Sequence, residues 1–261
     1  HFITYNFDTI FSERLNIFLK QRRSTIFEFF LATFCILLSR LSKQNEIIVA
    51  VPVARRNSSD FIELVGLLLN NLLIRNNVNG KEKFNDYLLQ VTDNVINAQK
   101  HQDYPFNDLI NKLKINNEFQ KVINIWVNSP DAADAQHRDY NLNGITLKPY
   151  EFSETYSDRD LELYIYEQKQ SLTIKLQYST SLFDQPTINY ILDEYVNSLN
   201  EILLNPDIKV EDIGIFRKRI EPVNSLNKEL EIVHSINPTI NSVFTEVVEK
   251  YPNRVAIKQI N

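Results

Sequence analysis

The amino-acid sequence predicts a layered α/β fold in which helices pack on a mixed β-sheet. Runs rich in β-branched residues interleave with helically periodic segments along the 261 residues. Two of the runs, LELYIYE and LTIKLQY, flank residues 168–170 and predict an antiparallel hairpin. The segment from Thr25 to Leu41 is apolar on nearly all sides, which is typical of a helix covered by other elements.

The first part of the chain predicts a strand, two helices and two more strands. HFITYNFD alternates as a strand does, and SERLNIFLKQRR has one apolar helical face formed by Leu15, Phe18 and Leu19. Ser24 is expected to cap the apolar helix. Residues 46–54 (EIIVAVPVA) and 66–75 (GLLLNNLLIR) resemble buried strands, the second interrupted by two asparagines.

The sequence from residue 84 to residue 203 predicts three helices, with a strand and a polar loop between the second and the third. A helix is expected from Phe84 to Ala98, and a shorter one after Pro105. KVINIWVNS predicts a strand, and PDAADAQHRDYNLNG predicts a polar loop. Asp184 and Pro186 then begin a helix with a continuous apolar stripe, which comprises Ile188, Ile191, Leu192, Tyr195, Val196, Leu199, Ile202 and Leu203.

Composition excludes several classes of function. The net charge is −5 and the basic residues are scattered, so the sequence predicts no nucleic-acid partner. The four glycines lie far apart, which disfavours a glycine-rich phosphate loop and any bound nucleotide cofactor. The longest apolar stretch carries Glu28 and Arg40 and is too short for a membrane span. The single cysteine, Cys35, lies within it, and no secretory leader opens the chain, which together predict a cytoplasmic protein.

A change in composition predicts the domain boundaries. The sequence from Arg217 to Asn237 is charged and aperiodic, as linkers are. Residues 238–261 then begin a helix, a turn and a strand. We therefore expect a domain over residues 1–216, a linker over 217–237 and the start of a second domain over 238–261.

Three polar residues on the second buried strand are candidate site residues. Asn70, Asn71 and Arg75 lie on an otherwise apolar segment, where polar groups need partners. Such side chains either bond a neighbouring loop or line a cavity. The sequence leaves both alternatives open.

Two groups of residues near histidines have a structural and a chemical interpretation. The segment His101-Gln102-Asp103 could hold a general base and its orienting carboxylate, but a helix start at Pro105 that is capped by Asp103 explains it by geometry. Asp131, Asp134 and His137 recur every third residue, as metal ligands can. Their polar loop favours a solvated segment, and no metal is expected.

Four blocks of the sequence follow one another as in the condensation domains of nonribosomal peptide synthetases, which this chain resembles over most of its length. Gly66, Asn70 and Arg75 match one family motif, and His101, Gln102, Asp103, Pro105 and Phe106 match the next. INSVFTEVVEKYPNRVAI is similar to the opening of the adenylation domain that often follows. The blocks themselves are TIFEFFLATFCILLSRLSKQNEIIVAVPVARRN, VGLLLNNLLIR, HQDYPF and YSTSLFDQPTINYILDEYVNSLNEILLNPDIKVEDIGIF.

The resemblance implies a fold, a function and a catalytic motif that lies outside this chain. It implies the C-terminal lobe of a condensation domain, with a chloramphenicol-acetyltransferase-like fold, in an enzyme that forms amide bonds between carrier-bound thioesters. The family's His-His-x-x-x-Asp-Gly motif does not occur in the sequence, so no catalytic residue is expected in this chain. The implied substrate-binding residues are Asn70, Arg75, His101 and Asp103. The implied partners are the N-terminal lobe, peptidyl carrier proteins with their phosphopantetheine arms, and the adjacent adenylation domain.

Departures from the family pattern keep alternatives open. Leu67 to Leu69 replace aromatic motif positions, Asn71 stands for threonine, and Arg55 stands where a glycine is usual. A later motif of the family has decayed to LKINNEFQK. The alternatives are a non-catalytic, condensation-like module that recruits a partner protein, an epimerisation-domain lobe and a stand-alone CoA-dependent acyltransferase.

Overall fold

The structure is a computed structural model that describes residues 1–54, 66, 68–112, 125–128, 140–142, 144–147, 159–168 and 171–216. The chain divides into two units, His1–Arg217 and Lys218–Asn261, and every described residue belongs to the first. The predicted linker and the predicted start of a second domain lie outside the described residues.

The described part of the chain contains five α-helices, eight strands and a short 3₁₀ helix, Val210–Asp212. The helices are α1 (Thr9–Arg22), α2 (Ile26–Ser42), α3 (Phe84–Lys100), α4 (Phe106–Lys112) and α5 (Gln185–Leu204). The strands are β1 (Phe2–Phe7), β2 (Glu46–Ala54), β3 (Leu69–Asn77), β4 (Ile125–Asn128), β5 (Tyr140–Leu142), β6 (Ile145–Leu147), β7 (Leu161–Gln168) and β8 (Ser171–Tyr178).

A six-stranded mixed sheet forms the centre of the fold, in the order β1-β8-β7-β4-β2-β3. Strand β4 pairs parallel to β2 and to β7, while the other pairs in this sheet are antiparallel. The β7–β8 pair is the predicted hairpin, with Gln168 opposite Ser171. The predicted α/β fold with a mixed sheet is therefore confirmed.

Four helices share one hydrophobic core with one face of the sheet. Helices α1, α2, α3 and α5 all contribute buried side chains to this core. Helix α2 is its centre, because its residues are buried continuously from Glu28 to Ser39. This burial explains why the helix is apolar on nearly all sides rather than along one stripe.

The opposite face of the sheet, which carries Ala50, Trp126 and Glu162, is here called the second face. Helix α4 covers one end of it, where Phe106 and Ile110 pack with Trp126 against Ala50. Successive residues of a strand point to opposite faces. The two faces are therefore covered differently. Four helices cover the core face, and among the described elements the short helix α4 covers part of the second face.

Three local expectations are corrected. The cap of α2 is Thr25 and not Ser24: the Thr25 side chain accepts from the Glu28 N–H, and the Glu28 side chain accepts from the Thr25 N–H. Strand β3 is an edge strand whose burial alternates, and not a strand buried on both faces. The predicted polar loop includes β5, which pairs with β6 in a separate two-stranded sheet.

Among the described helices, no single one is long and apolar enough to cross a membrane. Helices α1 and α2 pass that test of length and composition only as a pair, with a bend of 98° between them.

Candidate functional site

The candidate site is organised by Asn70, which lies near the start of edge strand β3. Its side chain is buried, with 8% of its surface exposed. Nδ2 donates to the carbonyl oxygens of Gln102 (2.7 Å) and Tyr104 (2.8 Å), and Oδ1 accepts from the N–H of Phe106 (3.2 Å). Both ends of the amide are thus engaged by one turn of the chain.

The path of the chain explains why this turn needs a polar anchor. Helix α3 packs in the core with Ile74, whereas α4 packs on the second face with Leu73. The segment that joins the two helices passes from one face to the other beside the edge strand. Asn70 supplies partners there for backbone groups that strand pairing cannot satisfy. Of the two alternatives that the sequence left open, bonding a neighbouring loop is the one observed for Asn70.

His101 and Asp103 lie on the turn held by Asn70. Both are exposed. His101 ends helix α3, and its backbone N–H donates to the carbonyl oxygen of Ala98 at 3.0 Å. The N–H at the start of α4, that of Phe106, is bonded by Asn70. The structure therefore brings Asn70, His101 and Asp103 together in one turn at the edge of the sheet.

Arg75 does not join this group. It is an odd number of positions from Asn70 along β3, so the two side chains point to opposite faces. Arg75 is exposed and forms an ion pair with Glu46 of the neighbouring strand, also exposed. A pair this open to solvent contributes little to stability.

A second polar cluster, which the sequence analysis did not identify, lies on the second face around Glu162 of β7. Only 4% of Glu162 is exposed. Its Oε1 accepts from Nδ2 of Asn128 (2.5 Å) and Nη1 of Arg159 (3.3 Å). The Arg159 guanidinium carbon lies 3.5 Å from the centroid of the Trp126 ring. Burial raises the pKa of the Glu162 carboxyl, although Arg159 opposes this by favouring the anion.

Sequence periodicity could not reveal this cluster. Glu162 occupies a polar position of the alternating strand LELYIYE, where a solvent-facing side chain is expected. Its burial depends on Trp126 and Asn128, which are distant in sequence.

The described residues offer no group of His, Cys, Asp and Glu side chains that could hold a metal ion. Asp131, Asp134 and His137 lie outside the described residues. Cys35 is fully buried, and burial raises the pKa of its thiol to about 12. That thiol is therefore not a nucleophile, since the reactive species is the thiolate.

Comparison with known protein families identifies the fold and the family. The family model described as "Condensation domain" matches residues 2–220. The chain belongs to the condensation-domain family. Condensation domains of nonribosomal peptide synthetases are acyltransferases, and the mixed sheet described above is the fold of their solved structures.

Curated relatives of this condensation domain are peptide synthetases of bacteria. Gramicidin S synthase 2 of Brevibacillus brevis is 28% identical over 237 residues, which are 90% of this chain and 5% of that protein. Tyrocidine synthase 3 of Brevibacillus parabrevis is 26% identical over 258 residues, which are 96% of this chain and 4% of that protein. The chain thus spans about one-twentieth of these relatives.

Solved structures share the fold at low sequence identity. The first condensation domain of the CDA synthetase matches with a TM-score of 0.66 and 17% identity, over 82% of this chain and 48% of that one. The X-domain from teicoplanin biosynthesis matches with a TM-score of 0.70 and 16% identity, over 82% of this chain and 49% of that one.

Proposed function

We propose that this chain is the C-terminal lobe of a condensation domain, residues 1–216, followed by a linker over 217–237 and the start of an adenylation domain over 238–261. Within an intact synthetase it forms one wall of the space in which two carrier-bound acyl groups are joined. The observation that supports a single lobe is coverage: 82% of this chain matches just under half of solved condensation-domain chains. The C-terminal assignment depends on the order of the sequence blocks and on the absence of a His-His-x-x-x-Asp-Gly string from the sequence.

The reaction proposed for the whole domain is amide-bond formation. The amine of the acceptor attacks the thioester carbonyl of the donor, a C–N bond forms, the C–S bond breaks, and the thiol of the donor arm leaves. An amine is a competent nucleophile toward a thioester once both are held in contact, so positioning supplies much of the rate. The two acyl groups are attached to phosphopantetheine arms of carrier proteins. We propose no cofactor bound to this lobe itself.

The role of this lobe is to shape the space and not to supply the base. Cys35 is buried and protonated, and His101 is exposed at a helix end. The catalytic histidine is assigned to a His-His-x-x-x-Asp-Gly motif in the other lobe. On this side, Asn70 and the turn with His101 and Asp103 form part of the wall. Arg75, on the opposite face of β3, contributes through its ion pair with Glu46 and not beside that turn.

The test is product formation by the complete synthetase. Carrier-bound product is measured by mass spectrometry for the wild type, for Asn70→Ala and for Asn97→Ala, an exposed control on α3. We expect less product with Asn70→Ala and unchanged product with the control. If Asn70→Ala forms as much product as the wild type, the proposed role of the turn in the substrate wall is wrong. No wild-type product with loaded carriers rules out condensation.

A second candidate, a non-catalytic module that recruits a partner protein, is favoured by one observation. The X-domain from teicoplanin biosynthesis shares this fold and has been solved in a complex with OxyB. The sequence that precedes His1 in the complete protein discriminates the two: a degenerate His-His-x-x-x-Asp-Gly motif there favours recruitment, and an intact one favours condensation.

A further inference from the structure

Three side chains form a row across the second face of the sheet. Trp126 of β4 pairs in register with Glu162 of β7, and Glu162 pairs with Gln177 of β8. Side chains opposite one another on neighbouring strands are in direct reach. The row therefore places a carboxylate beside a carboxamide, next to an indole ring.

The carboxylate of this row is held in a fixed position. Asn128 and Arg159 both donate to Oε1 of Glu162, and Arg159 is itself held over the Trp126 ring. Such support from surrounding groups is what a preorganised binding site requires. Arg159 also balances the charge of Glu162. Lys175 adds a further positive charge on the same face, 4.3 Å from the centroid of the Tyr164 ring.

The carboxamide of the row has an unused acceptor. Gln177 is 7% exposed, and within the described residues its Oε1 has no hydrogen-bond partner. A buried polar atom without a partner is costly and is rare in folded proteins. Glu162 and Gln177 are thus neighbouring hydrogen-bond acceptors, and Oε1 of Gln177 is unsatisfied. A donor for it has to come from outside the described residues.

We propose that Glu162 and Gln177 bind a secondary amide N–H of a substrate chain. A neutral donor is favoured over an ammonium group because Arg159 and Lys175 already compensate the carboxylate. This site rests on the proposed function, whose substrates offer amide N–H groups from two sources. One is the pantetheine arm, and the other is the peptidyl or acyl group that the arm carries.

Binding is measured on the full chain through Trp126, the only tryptophan of the sequence. Its fluorescence is titrated with pantetheine, with N-acetyl-glycylglycine N-methylamide and with butylammonium chloride. Saturable change with pantetheine assigns the site to the arm, and change with the peptide assigns it to the acyl group; either supports the proposal. Tighter binding of butylammonium than of both amides overturns it, as does the absence of binding by all three.

The variant Gln177→Met separates a binding role from a structural one. It replaces the amide by an apolar group of similar length. We expect the affinity for the amide probe to fall about three- to tenfold, the worth of one neutral hydrogen bond, while the Tm of the free chain is unchanged or raised. A lower Tm, or unchanged affinity, overturns the proposal.

Two further measurements complete the test. Gln90→Leu, an exposed position on α3, is expected to leave probe affinity unchanged; a loss there equal to that of Gln177→Met overturns the assignment. Glu162→Gln is titrated as an independent variant and is expected to weaken amide binding; unchanged affinity in this variant also overturns the proposal. Product formation by the complete synthetase separates the two proposals. If the wild type and the Gln177→Met enzyme form product equally well, the amide-binding site is contradicted and the condensation function still stands. If the wild type forms no product, the condensation function itself is contradicted.

Discussion

At the scale of single residues, buried polar side chains decide how this domain is assembled. Asn70 satisfies two carbonyl groups and one N–H of a turn 32 to 36 residues away in sequence. Glu162 is held by Asn128 and Arg159 on the second face. Because unsatisfied polar groups are costly when buried, each of these positions tolerates few alternatives.

Replacing Asn70 by alanine is expected to destabilise the domain by about 1.5–4.5 kcal/mol, because three hydrogen bonds are lost at about 0.5–1.5 kcal/mol each. Urea unfolding of the full chain measures the loss. Asn97→Ala is the control, since Asn97 is exposed and bonds only to Lys100 among the contacts seen, and we expect a change below about 0.5 kcal/mol there. Equal changes in the two variants would contradict the anchoring role.

Replacing Glu162 by glutamine is expected to change how stability depends on pH. The folded state raises the pKa of this carboxyl above its ordinary value of 4.5, so the folded protein binds this proton more tightly than the unfolded chain. The wild type therefore loses stability as pH rises from the ordinary pKa through the raised one, and Glu162→Gln does not.

The measurement is the Tm of both proteins from pH 4 to pH 8. The Tm of Glu162→Gln minus that of the wild type should increase with pH, and shifts from other groups cancel in this difference. A difference that is constant or decreases with pH is the opposite of what a raised pKa requires.

At the scale of elements, local caps and periodicity determine where helices begin and which face is buried. Helix α5 begins at the predicted cap, where Asp184 accepts from the N–H of Thr187 at 2.8 Å. Helix α2 begins one residue later than predicted, because Thr25 and Glu28 form a reciprocal capping box. Ser24 is adjacent and donates to Glu28 instead. Two neighbouring hydroxyl residues made the choice ambiguous from sequence.

Removal of the Thr25 hydroxyl is expected to weaken α2. Thr25→Ala should cost about 1 kcal/mol, the usual worth of an N-cap side chain, measured by urea unfolding. Thr25→Ser keeps the hydroxyl and is expected to remain within about 0.5 kcal/mol of the wild type. If serine is no better than alanine at this position, the capping box does not stabilise the helix.

At the scale of the whole molecule, one face of the sheet packs in the hydrophobic core, and the other carries polar and aromatic side chains. The core face joins four helices through an apolar cluster. The second face carries Trp126, Glu162, Lys175 and Gln177 in the described part of the chain. In the proposed lobe, the core face supplies the stability, while contacts with substrates are assigned to the second face and to the turn at the edge of the sheet that Asn70 holds.

The proposed boundary after residue 216 is tested by limited trypsin digestion of the full chain. We expect the first cuts after Arg217, Lys218 or Arg219, because the sequence there is charged and aperiodic. Lys209 serves as an internal reference: its backbone is bridged to Lys83, so we expect slower cleavage there. Mass spectrometry identifies the fragments, and early cuts within the described helices would place the boundary elsewhere.

The types and order of the main elements, the covered helix α2, the β7–β8 hairpin and the family were all predictable from the sequence. These features depend on local periodicity and on short motifs, which are properties of neighbouring residues. The folded structure was needed to show that Asn70 anchors the turn at residues 101–106 and that Arg75 points to the opposite face. It alone placed Glu162, a polar residue of an alternating strand, in a buried cluster with Trp126. Hydrogen-bond partners and burial depend on which distant segments meet in space, and local periodicity does not contain that information.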